Sequence, residues 1–191
     1  MLQKYRLLRQ SGLAVFDRKA IANILGVSFP STNPILDRLV RAGILLRLKR
    51  DRYVLAEDAP GKTRKIANEL VKPSALSLWT VLSDSGLTTQ VPRTIQSVTT
   101  KRPVEIESDG LPTFQYAHLP ATLSFGASPG NDDVFRMSPE KALLDLLYVQ
   151  HGSLDWSSID LERLDLALLR RMADRFPIDI QRILASSLLS R

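Results

Sequence analysis

The stretch 21–55, IANILGVSFPSTNPILDRLVRAGILLRLKRDRYVL, most narrows what this chain can fold into. Its apolar residues change period partway along. Ile21, Ala22, Ile24 and Leu25, then Ile35, Leu36, Leu39 and Val40, recur at helical spacing and predict two short amphipathic helices. After Gly43 come two short apolar runs, 44–48 and 53–56, which read as strands around Lys49-Arg50-Asp51-Arg52. Gly26 stands where a tight turn between the helices needs a residue free to take positive φ. Helix, turn, helix and a basic-tipped ribbon, in that order, predict a winged helix-turn-helix.

The flanks agree. Leu2, Tyr5, Leu7 and Leu8 mark a first helix over 2–10, ended near Gly12, and Asp17 is the expected N-cap of a helix over 18–25. The helix over 28–42 has a difficulty in Pro34. With Ser28 as N-cap and Pro30 in the first turn, Pro34 lies inside the helix, at a cost of about 3 kcal/mol. With Asn33 as N-cap, Pro34 is the first helical residue and 28–33 is a turn or a short separate helical piece. Either way Thr32, Asn33, Asp37 and Arg41 are expected to point outward.

Charge separates this region from the rest. Residues 1–56 hold 11 Lys/Arg against 3 Asp/Glu, a net of +8, whereas 57–191 hold 15 against 17, a net of −2. Positive charge confined to a predicted helix-turn-helix points to a phosphate-binding face. The chain has no cysteine, which excludes disulfides and thiolate metal sites and fits a cytoplasmic location. No apolar run approaches the roughly 20 residues of a membrane helix, and the N-terminus lacks signal-peptide features.

Polar 57–65, with Pro-Gly, reads as a linker between a DNA-binding domain over 1–58 and a second domain over 59–191. Helices are expected at 66–71 and 75–85, the latter closed by Gly86. Strands follow at 94–101, 104–107 and 113–119, then a loop over 125–133 and a short strand over 134–137. Ser138-Pro139-Glu140 is a helix start, combining a hydroxyl cap, proline at the first position and an acid in the first turn. That helix runs to about residue 150, and further helices are expected over 160–174 and 178–189. The fold class is α+β: a winged helix-turn-helix, then a domain of helices and a small antiparallel sheet with a helical C-terminus.

Catalytic chemistry is hard to find. His118 and His151 are far apart in sequence, without a second ligand at helical spacing. Gly126 to Gly130 lacks the spacing and the Lys-Ser/Thr of a phosphate loop. Asp132 and Asp133 are adjacent, so on a strand they would face opposite ways and could not share a metal. The chain is read as a non-enzyme with no metal site and no cofactor.

KPSALSLWTVLSDSGL, TIQSVTTKRPVEIE, GLPTFQYAHL and FRMSPEKALLDLLYV, in this order, resemble the AbiEi antitoxin family of type IV toxin–antitoxin systems. The landmarks are Ser77 and Leu78, Gly86 and Leu87, Thr99 to Arg102, Phe114, Tyr116 and His118, and Pro139 to Leu143 with Asp145. The resemblance covers roughly residues 1–150. Arg52 departs from the pattern, standing where the family commonly has glycine in the wing. The resemblance implies an N-terminal winged helix that represses its own operon. It also implies a C-terminal domain that antagonises a nucleotidyltransferase-like toxin.

The expected DNA contacts are Ser28, Ser31, Thr32 and Asn33 at the leading end of the second helix, Arg38 and Arg41 along it, and Lys49, Arg50 and Arg52 on the wing. Asn33 is placed to pair bidentately with adenine. Lys101 and Arg102 are the candidate antitoxin surface. Expected partners are double-stranded operator DNA, a cognate nucleotidyltransferase-like toxin and a second copy of the chain in a homodimer, with no membrane. A stand-alone regulator with a ligand-sensing or dimerising second domain is the alternative, and a mobile-element accessory protein is a third.

Overall fold

The computed structural model describes residues 2–189, so Met1, Ser190 and Arg191, at the ends of the two expected domains, lie outside the described residues. The fold is mixed α+β. It begins with α1 (Leu2–Gln10), α2 (Arg18–Leu25) and α3 (Thr32–Arg41), followed by the hairpin of β1 (Leu45–Lys49) and β2 (Arg52–Leu55). Asp17 caps α2 by accepting from Ala20 N at 2.7 Å. Gly26, at φ 63°, ends α2 in the left-handed conformation. Leu8, Phe16, Ile21, Ile35, Leu36, Leu39, Leu45, Tyr53 and Leu55 form a small core beneath these elements.

Pro34 fits neither expected arrangement. The helix starts at Thr32, after a turn over 29–31, with Ser31 as N-cap. Pro34 is therefore the third helical residue. The first four N–H groups of a helix have no partner within it, so a missing one there costs no hydrogen bond.

The stretch read as a linker is ordered. A 3-10 turn at Pro60–Lys62 leads into α4 (Thr63–Leu70), and Ala59 and Thr63 are buried. Lys62, Arg64 and Lys65 made the stretch look solvated, but Lys62 pairs with Asp58 at 2.6 Å and Arg64 with Asp84. The helix expected over 75–85 opens as a strand, β3 (Ala75–Leu76), before α5 (Leu78–Asp84). Both edges of β3 are paired, which outweighs its helical pattern.

The sheet also differs from the small antiparallel one expected. It has six strands in the order β5-β6-β4-β3-β8-β7. These are β4 (Thr94–Thr99), β5 (Val104–Ile106), β6 (Thr113–His118), β7 (Ser128–Pro129) and β8 (Phe135–Arg136). The β4–β6 pair is parallel, in register from Thr94↔Thr113 to Thr99↔His118, and β3–β8 is parallel at Leu76↔Arg136. The other pairs are antiparallel. β5 pairs with the strand after it rather than the one before, so β6 folds back into the place beside β4. The expected loop over 125–133 contains β7.

The larger core lies between the sheet and α5, α6 (Pro139–Val149), α7 (Leu166–Ala173) and α8 (Ile178–Leu189). Ser138 caps α6, its Oγ accepting from Lys141 N at 3.3 Å. The helix expected over 160–174 is split. A 3-10 turn at Leu161–Arg163 comes first, and Asp165 then caps α7 by accepting from Leu168 N at 2.9 Å.

Inside this core sits an ion pair. Lys141 and Asp145 of α6 are both fully buried and bonded to each other, and Ser77 Oγ donates to Asp145 Oδ2 at 2.8 Å. The Lys141 ammonium lies 4.7 Å and 5.1 Å from the ring centroids of Phe125 and Phe176. Burial pushes the lysine below its ordinary range and the carboxyl above its own, and their mutual attraction opposes both shifts. Ser77, Lys141 and Asp145 are landmarks of the resemblance, so that part of the pattern is interior. Tyr116 is another: its hydroxyl donates to Ala67 O at 2.6 Å.

Candidate nucleic-acid interface

α3 buries Thr32, Ile35, Leu36 and Leu39 and exposes Ser31, Asn33, Pro34, Asp37, Arg38 and Arg41. Thr32 was expected on the outer face, but it is fully buried and its hydroxyl donates to Ser28 O at 3.1 Å. It secures the turn before the helix and leaves the candidate list. Ser28 and Ser31 are exposed, with their hydroxyls 2.7 Å apart. Arg38 is exposed but laid along the helix, its Nε donating to Pro34 O at 3.1 Å. Arg41 is exposed and has no side-chain partner among the described residues.

Asn33 is not a cap. Its Oδ1 accepts from Arg18 Nη1 at 2.9 Å, and the Arg18 guanidinium stacks 3.7 Å from the ring centroid of half-exposed Phe29. A bidentate bond to adenine needs both Oδ1 and Nδ2 of asparagine. With one lone pair of Oδ1 taken by Arg18, the Nδ2 donor and the second lone pair remain for an outside partner. Arg18 is the residue sequence reasoning missed. The available signal was an arginine opening one helix and an aromatic in the turn before the next.

The hairpin is less free than its sequence suggests. Its tip is Arg50-Asp51, and Asp51, at φ 54°, takes the left-handed position. A short polar side chain tolerates that conformation, so the turn forms without a glycine at 52. Arg50 is exposed. Lys49 instead donates from Nζ to Leu70 O of α4 at 3.0 Å. Arg52 is partly buried, donates to Asp51 O at 2.9 Å and lies 4.0 Å from Asp17 Oδ2. Lys49 and Arg52 therefore do not stand on a projecting tip. They face a cleft shared with Lys101 and Arg102, the candidates from the second half. Both of these are exposed in the turn after β4. Thr99 holds that turn, its Oγ1 donating to Pro73 O at 2.6 Å and accepting from Lys101 N at 3.2 Å.

His118 and His151, remote in sequence, line one cleft of about 420 Å³ with Tyr148 and Asp179. His118 Nδ1 lies 3.0 Å from Lys101 O, to which it donates in that tautomer. Among the described residues no group of three or more His, Asp or Glu could hold a metal ion. Asp132 is held by Arg136 at 2.5 Å, and Asp133 takes a left-handed conformation at the bend before β8. No helix among the described residues is long and apolar enough to cross a membrane. No family model matches the chain, and no curated protein matches it.

Proposed function

We propose that α1 to β2 form a winged helix-turn-helix that binds duplex DNA through the exposed face of α3. On this reading the chain is an AbiEi-like antitoxin that represses its own operon and antagonises a nucleotidyltransferase-type toxin. The observation that carries the DNA reading is the outer face of α3. Arg38 and Arg41 stand exposed along it, and Arg18 and Asn33 form a donor cluster at its leading end. Arg41, Arg38 and the Arg50 tip hold phosphates, while Arg18 and Asn33 meet base edges, with Ser28 and Ser31 beside them. Arginine suits the last role because its fork can donate twice to guanine. The antitoxin reading rests on the sequence resemblance alone.

The test is titration of the DNA upstream of the gene over a range of salt. Each neutralised phosphate contributes about −0.9 to the slope of log affinity against log salt. An affinity that does not change with salt overturns the DNA reading. For the second half, co-expression with a neighbouring nucleotidyltransferase should restore growth, and failure to do so favours a stand-alone regulator.

A further inference from the structure

Cations from distant parts of the chain line one cleft of about 800 Å³ between the hairpin and the end of the large sheet. They are Lys49, Arg52, Lys72, Lys101 and Arg102, and among the described lining residues Glu69 is the one carboxylate. Glu69 is already taken, 2.6 Å from Lys72 Nζ. Arg52 has Asp17 Oδ2 at the long distance of 4.0 Å. Among the described residues, Lys101 and Arg102 make no ion pair. Lys49 registers the imbalance: burial first, then the charges of Arg52 and Lys101, hold its ammonium below the usual range. A concavity lined with one sign of charge concentrates counter-ions.

We propose that this cleft binds a compact polyphosphate, the di- or triphosphate group of a small anionic ligand. Its volume lies within the range of small-ligand sites, about 300–1,000 Å³. Four cations lacking close carboxylate partners, on two walls, match several phosphoryl groups better than one. The rest of the lining includes aliphatic Leu70, Val71 and Val104 and no aromatic ring on which a base could stack, so recognition falls to the phosphates. Lys49 is partly buried and fixed by Leu70 O, so it serves a ligand that enters the cleft. A duplex lying across the surface meets Arg50 instead. A bound polyphosphate would bridge Lys49 and Arg52 to Lys101 and Arg102, joining the hairpin to the sheet.

The test is calorimetric titration of the full chain with inorganic triphosphate, a nucleoside triphosphate and orthophosphate at fixed ionic strength. Triphosphate should bind saturably at one site, and orthophosphate about tenfold or more weaker. The Lys101→Ala/Arg102→Ala variant, altered only at exposed side chains, should lose about tenfold or more in triphosphate affinity, as expected for lost hydrogen bonds to charged groups. The charge-matched control Arg170→Ala/Arg171→Ala, at two exposed positions of α7, should bind as the parent does. Equal affinity for the nucleoside and inorganic triphosphates supports recognition through phosphate. Triphosphate binding that is the same in parent and double variant overturns the proposal. So does a double variant that weakens duplex DNA binding alone, which would assign the cleft to the DNA track.

Discussion

α3 and α6 both carry basic residues, and the fold treats them in opposite ways. On α3, Arg38 and Arg41 stand in solvent without a carboxylate partner among the described residues. On α6, Lys141 is enclosed and matched by Asp145, with Ser77 completing the carboxylate's contacts. A charge left outside and unmatched is available to something that arrives. A charge shut inside and matched is committed to the protein itself. Residues of like charge thus carry different meanings, and environment assigns them.

Breaking the inner pair gives the largest effect. Lys141→Met leaves Asp145 buried without its cation and should cost about 3–5 kcal/mol in urea unfolding. Lys141→Met combined with Asp145→Leu should recover most of that loss, because two apolar side chains replace two enclosed charges. A double variant as unstable as the single one would show that the pair is not the source of the cost.

On the outer side, Arg18→Ala should lower affinity for the preferred DNA sequence by about 1–3 kcal/mol and relax sequence preference, read by competition binding. Arg41→Ala should weaken all sequences alike and reduce the salt slope by about one. If the two variants act alike, the division between base-edge and phosphate contacts is wrong.

Tyr116 tests the interior through pH. Burial pushes its phenol up, so the folded state favours the neutral form. Its contribution is complete below the unfolded value of about 10 and is lost as pH rises through the folded one. Lys49, shifted down, acts in the opposite sense, its penalty easing as pH rises. Comparing Tyr116→Phe with the parent isolates the tyrosine. The variant should lose about 1 kcal/mol at neutral pH and show a shallower alkaline decline. The smallest effect sharpens the contrast: Arg41→Ala should change thermal stability by no more than about 0.5 kcal/mol.

The parts legible in the sequence were those set by neighbours along the chain. Asp17 and Ser138 cap as their positions imply, and Gly26 turns the chain between α2 and α3. The runs over 94–101 and 113–119 marked β4 and β6 as strands, but not that the two lie side by side, because composition favours a strand without fixing its neighbour. The helical stripe over 160–174 hid the break at Asp165, whose N–H bonds Glu140 of α6 at 3.1 Å. At the candidate site, the exposure of Asn33, Asp37 and Arg41 followed from helical spacing, whereas Thr32, expected outside with them, is buried. The bond from Arg18 to Asn33 spans 15 residues. The meeting of Lys49 and Arg52 with Lys101 and Arg102 depends on how the hairpin rests against the sheet. Neither contact has a local signature.

The hairpin belongs to both halves at once. Leu45, Tyr53 and Leu55 lie in the smaller core, while Leu48 and Val54 of the same two strands lie in the larger one. Neither half can melt without stripping side chains from the other, so heating should give one cooperative transition rather than two. A force applied at the Arg50 tip passes along those strands into the interior of the second half, making the ribbon a mechanical link as well as a surface.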